Sequence, residues 1–272
     1  MTPVNRALTA VLDAVMAPLA WMPPVAGLVL LSLVTAVAVL LAYKWTADQP
    51  ALTAAKQAMQ AAIFEMRLFN DDLVLLFRAQ GDVLRHSLTY LRLSFAPTLW
   101  LIVPLAVLML HMEFHFGYSG LATGDAALVK VRLADSDASA SATLAAPDAI
   151  EVETPAVVLP SEREIAWRIR PRKAGSYELR IRMGDTELGK SLLVSDTVGR
   201  RSPVRPDASL TSQLLNPSEP PVESGGRVTA ITVSYPERAY TVAGWNIGWS
   251  GVYLALTLAF ALALRRFFDV TM

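Results

Sequence analysis

Uninterrupted apolar runs, stretches of helical period and one long alternating stretch divide this chain. The runs are residues 25–43 (VAGLVLLSLVTAVAVLLAY), 95–110 (FAPTLWLIVPLAVLML) and 245–264, and the first two carry no charged side chain. At 1.5 Å rise per residue, a run of about 19 residues spans roughly 29 Å, the thickness of a bilayer core. Each run therefore predicts a membrane-spanning helix, with bounds 25–44, 95–115 and 244–265. Ahead of the first, Val4, Leu8, Val11, Leu12, Val15, Met16 and Leu19 fall at three- and four-residue steps, interrupted by Asn5, Arg6 and Asp13. This pattern predicts an amphipathic helix over 1–24 lying in a membrane interface, stopped by Pro23-Pro24. A signal peptide is the competing reading. Asp13 within the apolar part, and the absence of a small-x-small site before the next run, count against it.

Residues 45–94 are charged yet apolar at helical spacing. Asp48 is placed to cap a helix with Pro50 in its first turn. Leu52, Ala55, Met59, Ala62, Ile63 and Met66 form one apolar face. Asn70-Asp71-Asp72 stops that helix and caps a second, whose face reads Leu73, Leu76, Phe77, Leu84, Leu88 and Leu91. Two amphipathic helices joined by a short turn predict an antiparallel hairpin, with Gly81 a point of close approach. Nothing between Arg85 and Ser94 breaks the second helix, so it runs into the second span, where Pro97 and Pro104 free backbone carbonyls.

Over 126–196 the period becomes two. Val129, Val131 and Leu133 alternate with Lys130 and Arg132; Ile165, Trp167 and Ile169 with Arg168 and Arg170; Tyr177, Leu179, Ile181 and Met183 with Glu178, Arg180 and Arg182. Turn signals recur at Ala146-Pro147-Asp148, Pro160-Ser161, Lys173-Ala174-Gly175 and Gly184-Asp185. Short strands at this spacing predict a β-sandwich over 119–240. AGSYELRIR resembles a late strand of immunoglobulin-like domains, which implies Trp167 as the core aromatic. A Pro- and Gly-rich loop, 197–227, holds a short helical turn at 210–215 and is followed by a strand from Arg227 to Tyr235.

Composition agrees with a membrane protein: 53% of residues are hydrophobic and the mean hydropathy is +0.39. Net charge is zero, so overall charge gives no argument for direct nucleic-acid binding, and without cysteine there is no thiol nucleophile, thiolate metal site or disulfide. Lys44, Lys56, Arg67, Arg78, Arg85 and Arg92 crowd the hairpin and Arg265-Arg266 the C-terminal tail, 266–272, whereas 1–24 has Arg6 alone. The positive-inside rule then places hairpin and tail in the cytoplasm and the N-terminus and β-domain outside. Trp21, Trp45, Trp245 and Trp249 stand at span ends, as interfacial aromatics do.

The order of outer interfacial helix, span, cytoplasmic helical hairpin and two further spans resembles the Oxa/YidC membrane-insertase superfamily. Within it, RLFNDDLVLLFRAQGDVLRHSLTYL resembles the hairpin of the small prokaryotic branch related to the insertase subunit of the endoplasmic-reticulum membrane complex. The resemblance covers about residues 1–115 and 245–268; the β-domain lies outside that family core, and no charge sits mid-span. It implies a non-enzymatic insertase or assembly chaperone in the plasma membrane. Such a protein has a polar groove open to the cytoplasmic leaflet and no cofactor. Its partners are lipids, other membrane proteins and, at the hairpin, the ribosome.

The groove candidates are Arg92, Ser94 and Thr98 at the start of the second span, with Thr35, Tyr253 and Thr257 facing from the others. Arg92 also reads as a cation that snorkels to phosphates. The third run carries a small-residue row, Gly244, Gly248, Gly251, Ala255, Ala259 and Ala263, of the kind that lets helices pack closely. That row supports the alternative of a structural subunit in a larger membrane complex. His111 and His115 lie one turn apart and could hold a metal, but no third ligand stands near, so a polar interfacial end is the simpler reading.

Overall fold

The structure is a computed structural model that describes residues 3–19, 21–68, 73–135, 142–223, 226–242, 244–268 and 270. It combines helices with antiparallel β-sheets and divides into two compact units. One comprises residues 1–28 and 109–252, the other 29–108 and 253–272.

The helical unit is built from α2 (Pro24–Thr46), α3 (Gln49–Leu68), α4 (Leu73–Met112) and α6 (Trp249–Leu264). The hairpin turn predicted at 70–72 lies outside the described residues. Asp48 caps α3 as its position predicts, its Oδ1 accepting the Ala51 N–H at 3.0 Å. The second hairpin helix and the apolar run predicted as the second span form one helix of 40 residues that runs through Pro97 and Pro104. Ala36, Leu40, Tyr43, Leu52 and Ala261 share one buried cluster, with Tyr90, Leu93 and Leu101 of α4 packed against it. Two helical stretches, Pro24–Thr46 and Val74–Gly117, are long and apolar enough to cross a membrane. Of the apolar window in the second, only 6% is buried.

Two expectations are corrected here. On the second hairpin helix, Phe77, Leu84, Leu88 and Leu91 point outward, while Ala79 is the buried residue and Ser87 donates to the Met59 sulfur at 3.3 Å. On the first hairpin helix Leu52, Ala55 and Ala62 are buried, whereas Ile63 of its predicted apolar face is exposed. Gly81 is not a point of close approach, because a Cβ added there meets nothing within 4 Å. The third apolar helix is also shorter than the span predicted over 244–265, at 16 residues. Residues 239–248 form a β-hairpin, β10 (Ala239–Val242) with β11 (Trp245–Gly248), and α6 starts only at Trp249. Gly244 has φ +84 beside the hairpin turn and Gly248 ends β11, so neither belongs to a helix-packing row. Alternation of Trp245 and Ile247 with Asn246 and Gly248 was a strand signal hidden within an apolar run.

The β unit carries two antiparallel sheets over one core. The larger has the order β3-β5-β1-β9-β8, with β4 also on β5: β1 is Ala127–Leu133, β3 Ile150–Val152, β4 Val157–Leu159, β5 Glu164–Pro171, β8 Val204–Arg205 and β9 Val228–Val233. The smaller has the order β2-β6-β7: Ala142–Ala145, Gly175–Met183 and Thr186–Val194. Val129, Val131, Ile165, Trp167 and Ile231 from one sheet meet Leu179, Ile181 and Leu192 from the other. This is the alternation of the sequence realised as burial, and Trp167 is core, at 2% exposed. Outward arginines do more than solvate: Arg168 and Arg170 pair with Glu153, Arg172 with Glu151, and Arg180 and Arg182 with Glu187. Within the Pro-rich loop, α5 (Leu210–Leu215) stands at the predicted turn, capped by Ser209.

The same unit includes α1 (Pro3–Met16), followed by a short turn of 3-10 helix, Ala17–Leu19. Val11 and Val15 are exposed on α1, whereas Thr9 and Met16 are buried. Ahead of β1, Gly120 is obligatory, since a Cβ there would fall 1.7 Å from the Ser195 carbonyl oxygen.

Candidate functional site

The groove candidates separate into two sets. Thr35 on α2 and Tyr253 on α6 meet directly, the tyrosine hydroxyl donating to Thr35 Oγ1 at 3.0 Å. Ser32, one turn earlier on α2, donates to the Tyr253 carbonyl at 3.5 Å. Ser32, Thr35, Tyr253 and Thr257 are all buried. Hydroxyl bonds between helices in an apolar setting hold those helices together, and a closed seam of this kind admits no client.

Arg92, Ser94 and Thr98 stand apart from that seam. Arg92 and Thr98 are exposed, and Thr98 Oγ1 donates to the Ser94 carbonyl at 2.7 Å, satisfied by its own helix. Arg92 instead lines a shallow depression of about 400 Å³ on the hairpin half of α4, with Gly81, Leu84, Arg85, Leu88 and Thr89. Beyond it, Phe95, Leu99, Trp100, Ile102 and Val103 are all exposed, Trp100 at 78%. α4 therefore presents an open face that is charged at one end and apolar at the other.

On α6, Gly251, Ala255, Ala259 and Ala263 are exposed, while Tyr253, Thr257 and Ala261 face inward. The small-residue row, reduced to these four members, is left uncovered by the chain.

The histidine pair belongs to a polar knot in the β unit. His111 and His115 are buried. His115 Nδ1 lies 3.4 Å from the His111 carbonyl oxygen and its Nε2 3.6 Å from the Asp13 carboxylate. Asp13 also accepts from Arg200 at 2.6 Å. Burial works against the Asp13 charge, but the His115 bond and the Arg200 cation outweigh it and hold its pKa below the usual carboxylate range. Among the described residues no group of three His, Cys, Asp or Glu side chains is placed to hold a metal. Asp13, an interruption of the apolar pattern in the sequence, is what fastens α1 to this knot.

Two buried cations were missed in the sequence. Lys190 Nζ donates to the Ser202 carbonyl at 2.6 Å, to Ser202 Oγ at 2.8 Å and to Glu219 at 2.5 Å. Burial lowers its pKa to about 8 in spite of Glu219. A signal existed, because Lys190 sits in phase with inward Leu188, Leu192 and Val194 on β7. Arg201 offered none: it lies in a loop, wholly buried, and donates to the carbonyls of His115, Gly199, Ser195 and Thr197.

These groups also close the free edge of β7. Arg205 donates to the Gly189 carbonyl, Glu219 accepts the Ser191 N–H at 2.9 Å, Tyr235 Oη accepts the Leu193 N–H at 2.9 Å and Arg201 donates to the Ser195 carbonyl at 2.8 Å. A strand edge occupied at alternate residues cannot template another strand. Compared with models of protein families, with curated proteins and with solved structures, the chain matches none.

Proposed function

We propose that this chain is a membrane-embedded, non-enzymatic protein that holds segments of other membrane proteins, an insertase or assembly chaperone of the Oxa/YidC kind. The observation that carries the reading is α4. One 40-residue helix passes from the hairpin into an apolar half whose window is 6% buried. A face bearing Phe95, Leu99, Trp100, Ile102 and Val103 is stable only against lipid or another apolar chain. In this reading the three apolar helices span a prokaryotic plasma membrane, hairpin and tail lie in the cytoplasm, and α1 and the immunoglobulin-like β-domain lie outside. The client surface is the open face of α4 starting near Thr98, while the Thr35–Tyr253 seam fastens α2 to α6.

A photo-crosslinker at Thr98 tests this. The reading expects capture of many different nascent membrane proteins. Capture of a single stable protein instead favours a structural subunit of a larger complex, for which the uncovered row Gly251, Ala255, Ala259 and Ala263 offers a close-packing surface. Capture of lipid alone from Thr98 contradicts both.

A further inference from the structure

The hairpin half of α4 carries an arrangement that neither span packing nor client holding uses. Arg78, Arg85 and Arg92 recur every seven residues, two helical turns, and all three are exposed. Among the described residues none of them pairs with a carboxylate. Beside this row, on the same side of the helix and away from the buried Ala79, stand Phe77, Leu84, Leu88, Leu91 and Phe95, each more than half exposed. The depression of about 400 Å³ lies between the row and the leucines, over the missing side chain of Gly81.

We propose that this face is a docking site for an acidic amphipathic helix of a partner protein. That helix would lay an apolar stripe along Leu84, Leu88 and Leu91 and set carboxylates against Arg78, Arg85 and Arg92. The seven-residue repeat is the spacing at which two parallel or antiparallel helices stay in register, with the flanking charges choosing the partner. The apolar stripe supplies area and the arginines supply sign, as in other helix-on-groove recognition.

Other occupants fit less well. The row extends about 21 Å along the helix axis, whereas the polar layer of one leaflet is only about 5–8 Å deep. Since α4 continues unbroken into its apolar half, only the Arg92 end reaches headgroups. RNA phosphates would satisfy the arginines but not five large apolar side chains. A second copy of this face would set arginine against arginine.

The inference rests on the proposed reading only in placing the hairpin outside the bilayer. Its probe sits at Leu88 rather than Thr98, so the two can fail separately. A photo-crosslinker is placed at Leu88 of the full chain in its native membrane, and the captured segment is mapped by mass spectrometry. The expected adduct is a protein helix with carboxylates at three-, four- or seven-residue spacing. Its yield falls about tenfold or more when Arg78, Arg85 and Arg92 are all changed to Glu, and is kept when they are changed to Lys. Should the Glu variant fail to accumulate, the parent decides alone: its yield must drop as ionic strength rises from about 0.05 to about 0.5 M, since exposed pairs are screened over that range. Adducts to phospholipid, to RNA, to a second copy or to a segment without acids overturn the proposal. So does no adduct, or a yield indifferent to charge and salt.

Discussion

Lys190 shows how one residue out of pattern carries structural meaning. It occupies an inward position of β7, and the strand accommodates its ammonium only because Ser202 and Glu219 meet it there. Through that contact the Pro-rich loop is tied to the smaller sheet. The cost is visible in its pKa of about 8, against an ordinary 10.5. The unfolded chain therefore holds a proton that the folded chain gives up between these values, and stability rises with pH across that window. Tyr235 acts in the opposite sense: burial raises its pKa to about 12, so its contribution is lost as pH climbs above 10. The clean window is pH 8 to 10. Denaturant unfolding of the β-domain should show a gain of about 1–2 kcal/mol there, and Lys190→Met should abolish the slope. A parent domain whose stability is flat or falling from pH 8 to 10 would refute the assignment.

At the level of elements, alternation and helical period were read where a residue's pattern decided its burial. β1, β5 and β6 stand where inward Val, Ile and Leu alternated with charge, and α3 buries Leu52, Ala55 and Ala62 of its predicted face while Ile63 stays exposed. The second hairpin helix was misread for a physical reason. Periodicity shows that a helix has an apolar face, not whether that face meets its own chain or a partner. Ala79 packs inward while Leu84 and Leu88 stay exposed. The hidden hairpin β10-β11 was lost because an apolar run looks alike as strand or helix until a turn glycine is recognised. The groove was legible only as residues: of six polar side chains, Thr35, Tyr253 and Thr257 are buried in a closed seam, Arg92 and Thr98 are exposed on α4, and Ser94 is half-buried between. For the β-domain the expected result is independence. Residues 119–240 made alone should be soluble, β-rich by circular dichroism and cooperative on heating. Within that segment Trp167→Ala should cost about 3–5 kcal/mol; a loss under about 1 kcal/mol would show the core misplaced.

At the scale of the whole molecule, the helical unit exposes many large apolar side chains, whereas the β unit pairs its outward arginines with glutamates and closes its β7 edge. In the proposed reading the first faces lipid or a client and the second faces water. In the proposed reading, the asymmetry of lysine and arginine places the hairpin inside and the β-domain outside. The chain has no cysteine, so single-cysteine variants report one site each. Gln80 and Ser176 are both exposed, one on the hairpin and one on β6. In intact cells, a membrane-impermeant maleimide should label Ser176→Cys from outside and reach Gln80→Cys only once the inner membrane is opened. The reverse pattern, or release of both variants into the soluble fraction, would contradict the account.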